Sequence, residues 1–153
     1  MSADNFNLEE SIRSFDGDAI VTEGKQFTEI TVHPEKLMAL AMFLRDNSEM
    51  GFDFPACVSG VDYGNDLGVV YHLRSTKHNR TIVVKTRVSD RQNPVVESVT
   101  PIWPGAEYHE REIFDLFGIR FTNHPDLRRL FLDNSDGYPL RKDYSDDVNI
   151  VTK

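Results

Sequence analysis

Residues 52–88 read FDFPACVSGVDYGNDLGVVYHLRSTKHNRTIVVKTRV, and the fold turns on how that stretch divides. Three runs rich in β-branched and aromatic residues, FDFPACVSGVDY, LGVVYHLRS and TIVVKTRV, are separated by the turn-forming groups GND and TKHNR. Connections that short join antiparallel neighbours, because a parallel crossover needs about a dozen residues or more. The stretch therefore predicts three consecutive antiparallel strands. Phe52, Phe54 and Tyr71 read as core aromatics, and Cys57, a lone cysteine in a strand, reads as a small core residue.

Upstream, NLEESIRSF places Asn7 at a helix cap with Glu10 three residues on, and Leu8, Ile12 and Phe15 recur at helical spacing. AIVTEGKQFTEITV alternates about Glu23-Gly24 and predicts a β-hairpin. His33-Pro34 opens a second helix whose buried stripe is Leu37, Leu40, Ala41 and Leu44, widened by Met38 and Met42 and stopped at Asn47-Ser48. The order α-β-β-α-β-β-β predicts an α+β fold: a mixed, mostly antiparallel five-stranded sheet with helices packed on a face.

Downstream of Val88 the pattern changes. Asn93-Pro94 resembles a cap and first turn, so Val95, Val96 and Val99 are expected on a short helix that Pro101 and Pro104 end. Residues 106–117 predict a better helix, with Gly118 as its stop. From 119 to 153 neither period is sustained, which is unusual in a compact domain unless the segment is functional. The expected division is an α+β domain over 1–118 and an extended C-terminal segment over 119–153.

Composition bounds the function. A chain of 153 residues with net charge −8 lacks the basic field that free nucleic-acid binding requires. The longest apolar run, LMALAMFL from Leu37, is eight residues, where a membrane-spanning helix needs about 20. The acidic start MSADNFNLEE has no apolar signal region, so a cytoplasmic, matrix or stromal setting is expected. With Cys57 as the single cysteine, neither an internal disulfide nor a cysteine-held iron–sulfur cluster can form.

The charged stretch EREIFDLFGIRF, residues 110–121, resembles an acid–base site only superficially. Glu110 and Glu112 are two apart and face opposite sides of a helix, whereas Glu107, Arg111 and Asp115 share a face at spacings of four. The plain expectation for the latter is a solvated charge ladder. His33, His72, His78, His109 and His124 include no pair at ligand spacing, and His109 with Glu112 alone makes a weak metal signal. There is no nucleophile elbow, phosphate loop or dinucleotide fingerprint. The segments HPDLRRLFL and GYPLRKDY set Arg128-Arg129 and Arg141-Lys142 among Leu127, Leu130, Phe131, Leu132, Tyr138, Leu140 and Tyr144. That mixture fits either a partner interface or a tail folded back on its own domain.

EREIFDLFGIRF, HPDLRRLFL and GYPLRKDY, in this order and spacing, resemble the 30-kDa subunit family (the C subunit) of proton-pumping NADH:quinone oxidoreductase, respiratory complex I. The joined motif spans Glu110 to Tyr144. By position it falls on Glu110, Arg111, Glu112, Asp115, Phe117, Gly118, His124, Pro125, Arg128, Arg129, Pro139, Leu140, Arg141, Lys142, Asp143 and Tyr144. His109 departs from the family's usual aromatic, and Asp133-Asn134 from a common proline. The resemblance implies a peripheral-arm subunit with no catalytic residues and no cofactor of its own; NADH, FMN, iron–sulfur clusters and quinone lie on other subunits. It implies docking on the large quinone-site subunit, a relative of the hydrogenase large subunit, and only indirect attachment to the cytoplasmic side of the inner (plasma) membrane, or the matrix or stromal side in organelles. The same scaffold in a hydrogenase-type or NADH-independent quinone or ferredoxin oxidoreductase is the near alternative. A stand-alone small enzyme using His109, Glu112 or Asp115 is the distant one.

Overall fold

The computed structural model describes residues 8–128 and 137–141. Its elements are α1 (Leu8–Phe15), β1 (Ile20–Glu23), β2 (Thr28–Thr31), α2 (Pro34–Asp46), β3 (Phe54–Asp62), β4 (Leu67–Ser75), β5 (Arg80–Val88), β6 (Val95–Glu97), α3 (Glu107–Phe117) and β7 (Arg120–Thr122), with a 3-10 turn over Pro104–Ala106 leading into α3. The first seven follow the expected order. The cap at Asn7 lies outside the described residues.

The main sheet runs β1-β2-β5-β4-β3. All of its pairings are antiparallel except β2 with β5, which aligns Ile30 with Val84 in parallel. The two short turns of residues 52–88 therefore make neighbours as expected, and the first hairpin joins the growing sheet beside the third strand. Alternate residues of β4, namely Leu67, Val69, Tyr71 and Leu73, enter one apolar core with Val58, Ile82 and Val84. Ile12, Leu37, Leu40, Leu44, Ile113 and Phe117 from the three helices join the same core. Val70 and Val83 are buried yet lie outside that core, as the pleat requires for the face away from the helices.

Three expectations are corrected. Val95 and Val96 do not form a helix: residues 95–97 are a strand, paired in parallel with β7 so that Val96 lies opposite Phe121. β-branched residues favour a pleat, and the pairing partner 25 residues away, at β7, cannot be seen in a local window (Val96 to Phe121). Cys57 is exposed rather than in the core. Phe54 is 51% exposed, whereas Phe52 and Tyr71 are buried as expected. Cys57 directly follows the register shift at Pro55/Cys57, where the alternation of a regular strand breaks; Phe54 lies before it, at the first position of β3.

The β6–α3–β7 unit is a compact crossover that adds a two-stranded sheet beside the main one. Trp103 donates its indole N–H to the carbonyl of Phe52 at 2.8 Å, fastening the approach to α3 against the start of β3. Residues 119–122, assigned from sequence to the extended segment, belong to this folded unit: Ile119 and Phe121 are fully buried. Replacing Phe121 with alanine should therefore lower the unfolding free energy by about 3–5 kcal/mol in denaturant titration. A change below about 0.5 kcal/mol, normal for an exposed position, would place β7 outside the cooperative domain.

The signature helix and its C-terminal latch

Helix α3 carries most of the residues that the sequence singles out, and it sorts them by face. Glu110, Arg111 and Asp115 are buried, while Glu112 is exposed. The opposite orientation of Glu110 and Glu112 follows from the 100° step of an α-helix, as expected. The solvated ladder does not exist: Arg111 and Asp115 are turned inward rather than toward water. Arg111 lies 5.6 Å from the Tyr108 ring and its Nε–H donates to the carbonyl of Arg128 at 3.4 Å.

Glu110 is the centre of a polar cluster inside the fold. The Ser98 hydroxyl donates to its Oε1 at 2.6 Å and the Val99 backbone N–H donates to its Oε2 at 2.9 Å. Ser98 in turn accepts the Thr100 N–H at 3.1 Å and contacts the Thr100 hydroxyl at 2.8 Å. His124 sits with Nε2 3.9 Å from Glu110 Oε1. The Asp126 N–H donates to His124 Nδ1 at 3.0 Å, so the ring proton belongs on Nε2, which donates to the Glu107 carbonyl at 3.0 Å. The sequence marks Glu110 and His124 as separate motif positions; the fold places them side by side. Sequence reasoning misses Ser98 and Thr100, since nothing local distinguishes a serine that serves a carboxylate twelve positions away.

Burial pushes the Glu110 carboxyl from its ordinary 4.5 up to about 7, against the downward pull of the Ser98 and Val99 donors. Burial raises the nearby Tyr71 phenol well above its ordinary value, and the negative charge of Glu110 adds to the shift. The Tyr71 hydroxyl has no hydrogen-bond partner among the described residues.

The other end of α3 is closed by the tail. Gly118 is in the left-handed region at φ 77° and its N–H donates to the carbonyl of Phe114. A side chain there would also collide with the Tyr138 ring at 2.8 Å and Arg141 at 2.9 Å, so glycine is required twice over. Leu140 N–H donates to the Leu116 carbonyl at 3.1 Å. The Arg141 guanidinium donates through Nε to the Phe117 carbonyl at 2.6 Å and through Nη1 to the Arg91 carbonyl at 3.2 Å. A cation against the last carbonyls of a helix is favourable to the helix dipole. Arg91 itself grips Asp62 at the end of β3 through two hydrogen bonds of 2.7 and 2.9 Å. Residues 137–141 are thus latched to their own domain, and Arg141 is engaged there.

Of the remaining motif positions, Arg128 is on the surface, paired with Asp126 at 3.0 Å, and Leu140 is 53% exposed. Pro125 and Pro139 lie in the loops flanking these contacts. Arg129, Lys142, Asp143 and Tyr144 lie outside the described residues, as do Leu130, Phe131 and Leu132. His109 and Glu112 line a shallow groove between α3 and β3 with Gly60, Leu116, Phe117 and Leu140. Among the described residues there is no group of three or more His, Cys, Asp or Glu placed to hold a metal ion.

Residues 30–148 match the family described as respiratory-chain NADH dehydrogenase, 30 Kd subunit. The chain is 44% identical over 149 residues to the C subunit of the NADH-quinone oxidoreductase of Roseiflexus sp. (strain RS-1), covering 94% of this chain and 85% of that one. It is 49% identical over 122 residues to the C/D subunit of the NADH-quinone oxidoreductase of Phocaeicola vulgatus, covering 78% of this chain but only 23% of that longer protein. The fold superposes on a chain of the membrane-bound sulfane sulfur reductase, an archaeal respiratory membrane complex, with TM-score 0.76 over 90% of this chain and 83% of that one, at 24% identity.

The buried Glu110 carries a definite pH dependence. Its carboxyl holds a proton more tightly folded than unfolded, so the stability it contributes is full below pH 4.5 and is lost as pH rises through about 7. Glu110→Gln removes that titration. The unfolding free energy of the variant relative to the parent should rise by about 3 kcal/mol between pH 4.5 and 8. A difference that stays flat across that range would show Glu110 to be ionised or solvated throughout.

Proposed function

The chain belongs to the 30-kDa subunit family of respiratory-chain NADH dehydrogenases, and from that premise we propose that it is a non-catalytic scaffold subunit. It docks on the large quinone-site subunit and stabilises it, supporting NADH-to-quinone electron transfer coupled to proton translocation that takes place on other chains. The observation that carries this reading is the disposition of the signature residues. Glu110 and Arg111 are consumed in hydrogen bonds within the fold, Asp115 is buried, and Gly118 and Arg141 hold the tail turn, so the motif builds a support rather than an open reaction site. What the support presents to solvent includes the apolar Leu140 and the cationic Arg128, both exposed.

The redox groups belong elsewhere because one cysteine cannot supply the thiolates of an iron–sulfur cluster, nor do the sequence's glycines form a nucleotide loop. Attachment to the membrane is indirect in this reading. No helix among the described residues is long and apolar enough to cross one. The identities of 44–49% to NADH-quinone oxidoreductase subunits favour that complex over a hydrogenase-type or NADH-independent relative.

Docking through Arg128 is testable in the assembled complex. Arg128→Glu should reduce recovery of the large subunit on affinity purification by tenfold or more, since removing one partner of an interfacial charge pair costs about 2–5 kcal/mol. The thermal midpoint of the free chain should not move. Recovery equal to that of the parent would remove Arg128 from the interface. The purified chain alone should also be colourless and show no stoichiometric flavin, iron or zinc; any of these at one equivalent would overturn the scaffold reading.

A further inference from the structure

We propose that the free edge of β3 between Cys57 and Val61 is completed, in the assembled complex, by an extended segment of the neighbouring subunit. This deepens the docking reading and rests on it. The segment adds as a further strand and sets apolar side chains into the groove beside α3.

Among the described residues β3 is the outermost strand of the main sheet and pairs only with β4. Folded proteins guard such edges with proline, charge, bulges or covering loops, because an open row of backbone groups invites another strand. The first half of β3 is guarded. Pro55 removes a donor, the register shifts between Pro55 and Cys57, and the turn over Pro104–Ala106 packs there with Gly105 against Pro55. The second half is not guarded by any of these among the described residues: 57–61 read Cys-Val-Ser-Gly-Val, with no charge and no proline. The opposite edge, β1, is only four residues long and ends on Glu23.

Beside the unguarded half runs the groove between β3 and α3, about 370 Å³ in volume. Gly60 forms its floor because a larger residue would strike Phe117 and Ile113. Leu116, Phe117 and Leu140 form the apolar wall, with His109 and Glu112 among the residues lining it. Leu140 and Phe54 are among the few large apolar side chains the domain leaves more than half exposed. Alternate side chains of an added strand point to one face, which matches an apolar trough running beside a strand edge.

The occupant follows from where the chain goes. Leu140 is held in the groove wall by its N–H bond to Leu116, and Arg141 directly after it is pinned to the α3 terminus. The last described residues, Leu140 and Arg141, thus stand at this groove, and a subunit bound through the residues that follow them in sequence lies next to the β3 edge. The chemistry expected of the occupant is an uncharged, extended peptide with apolar residues at every second position.

Cys57 is the sole cysteine and it is exposed, so it reports on this edge directly. N-ethylmaleimide labelling of Cys57, read by mass spectrometry, is compared in the free full-length chain and in the purified complex, together with hydrogen exchange of amides 57–61. We expect labelling and exchange to slow by about tenfold or more on assembly, as for amides drawn into a stable ladder. Cys57→Lys, which installs an edge-guarding charge, should reduce recovery of the complex, while Cys57→Ser should not. The wild-type exchange comparison stands even if the lysine variant folds poorly. Unchanged labelling and exchange in a complex that Arg128→Glu does dissociate would overturn the strand addition and leave tail docking intact. Recovery of no partner with the parent chain would instead defeat the docking reading itself. Protection already present in the free chain overturns the proposal in favour of another occupant. That occupant is the chain's own end if deleting residues 142–153 abolishes the protection, and a second copy if dilution does.

Discussion

The position of α3 depends on one buried carboxylate. Glu110 accepts the Ser98 hydroxyl and the Val99 N–H, both from the loop after β6, and stands beside His124 from the segment after β7. Three stretches of chain that share no strand of the main sheet thus meet on one side chain. A carboxyl in that position costs desolvation, and two donors offset only part of the cost. The return is directional. Hydrophobic contacts of Ile113 and Phe117 would allow α3 to roll or slide on β3, while two hydrogen bonds to a single carboxylate fix its rotation.

With that rotation set, the far end of the helix faces the loop after β5. Asp62 and Arg91 form a two-pronged ion pair with side chains only 3% and 18% exposed. Such a pair adds little to net stability, yet leaving either partner alone would be costly, so the loop is held in one place. The Arg91 carbonyl is thereby aimed at Arg141, whose other donor caps α3. The tail turn consequently rests on two elements that are each fixed by a buried charge.

Residues 52–88 are legible from sequence because each strand is long and each turn short, so local pattern and final pairing agree. The helix over residues 106–117 is legible from its period and from Gly118, whose role needs only a backbone angle. Val95 and Val96 mislead because Asn93-Pro94 imitates a helix start, while the information that makes a strand there resides in Phe121. The charges of α3 mislead for a related reason. Spacing shows that Glu107, Arg111 and Asp115 share a face but not whether that face meets water, and the fold buries Arg111 and Asp115 through contacts that no local window contains, such as the Arg128 carbonyl. Arg141 reads in the sequence as a cation without a local partner; its acceptors are main-chain carbonyls at 91 and 117, which carry no sequence signal at all.

The parallel pairing of β2 with β5 joins residue 30 to residue 84, across the whole of α2 and two intervening strands. Contacts of such long reach carry a larger loop-closure cost than hairpins such as β3–β4 and β4–β5. The tail turn depends on still more of the fold, because Arg141 needs both the Arg91 and the Phe117 carbonyls in place. Leu140 is therefore displayed in its set orientation only by a chain that has finished folding. The exposed Leu140 is in that sense a signature of completion: a half-folded copy cannot present it, because the contacts that aim it need the rest of the fold in place.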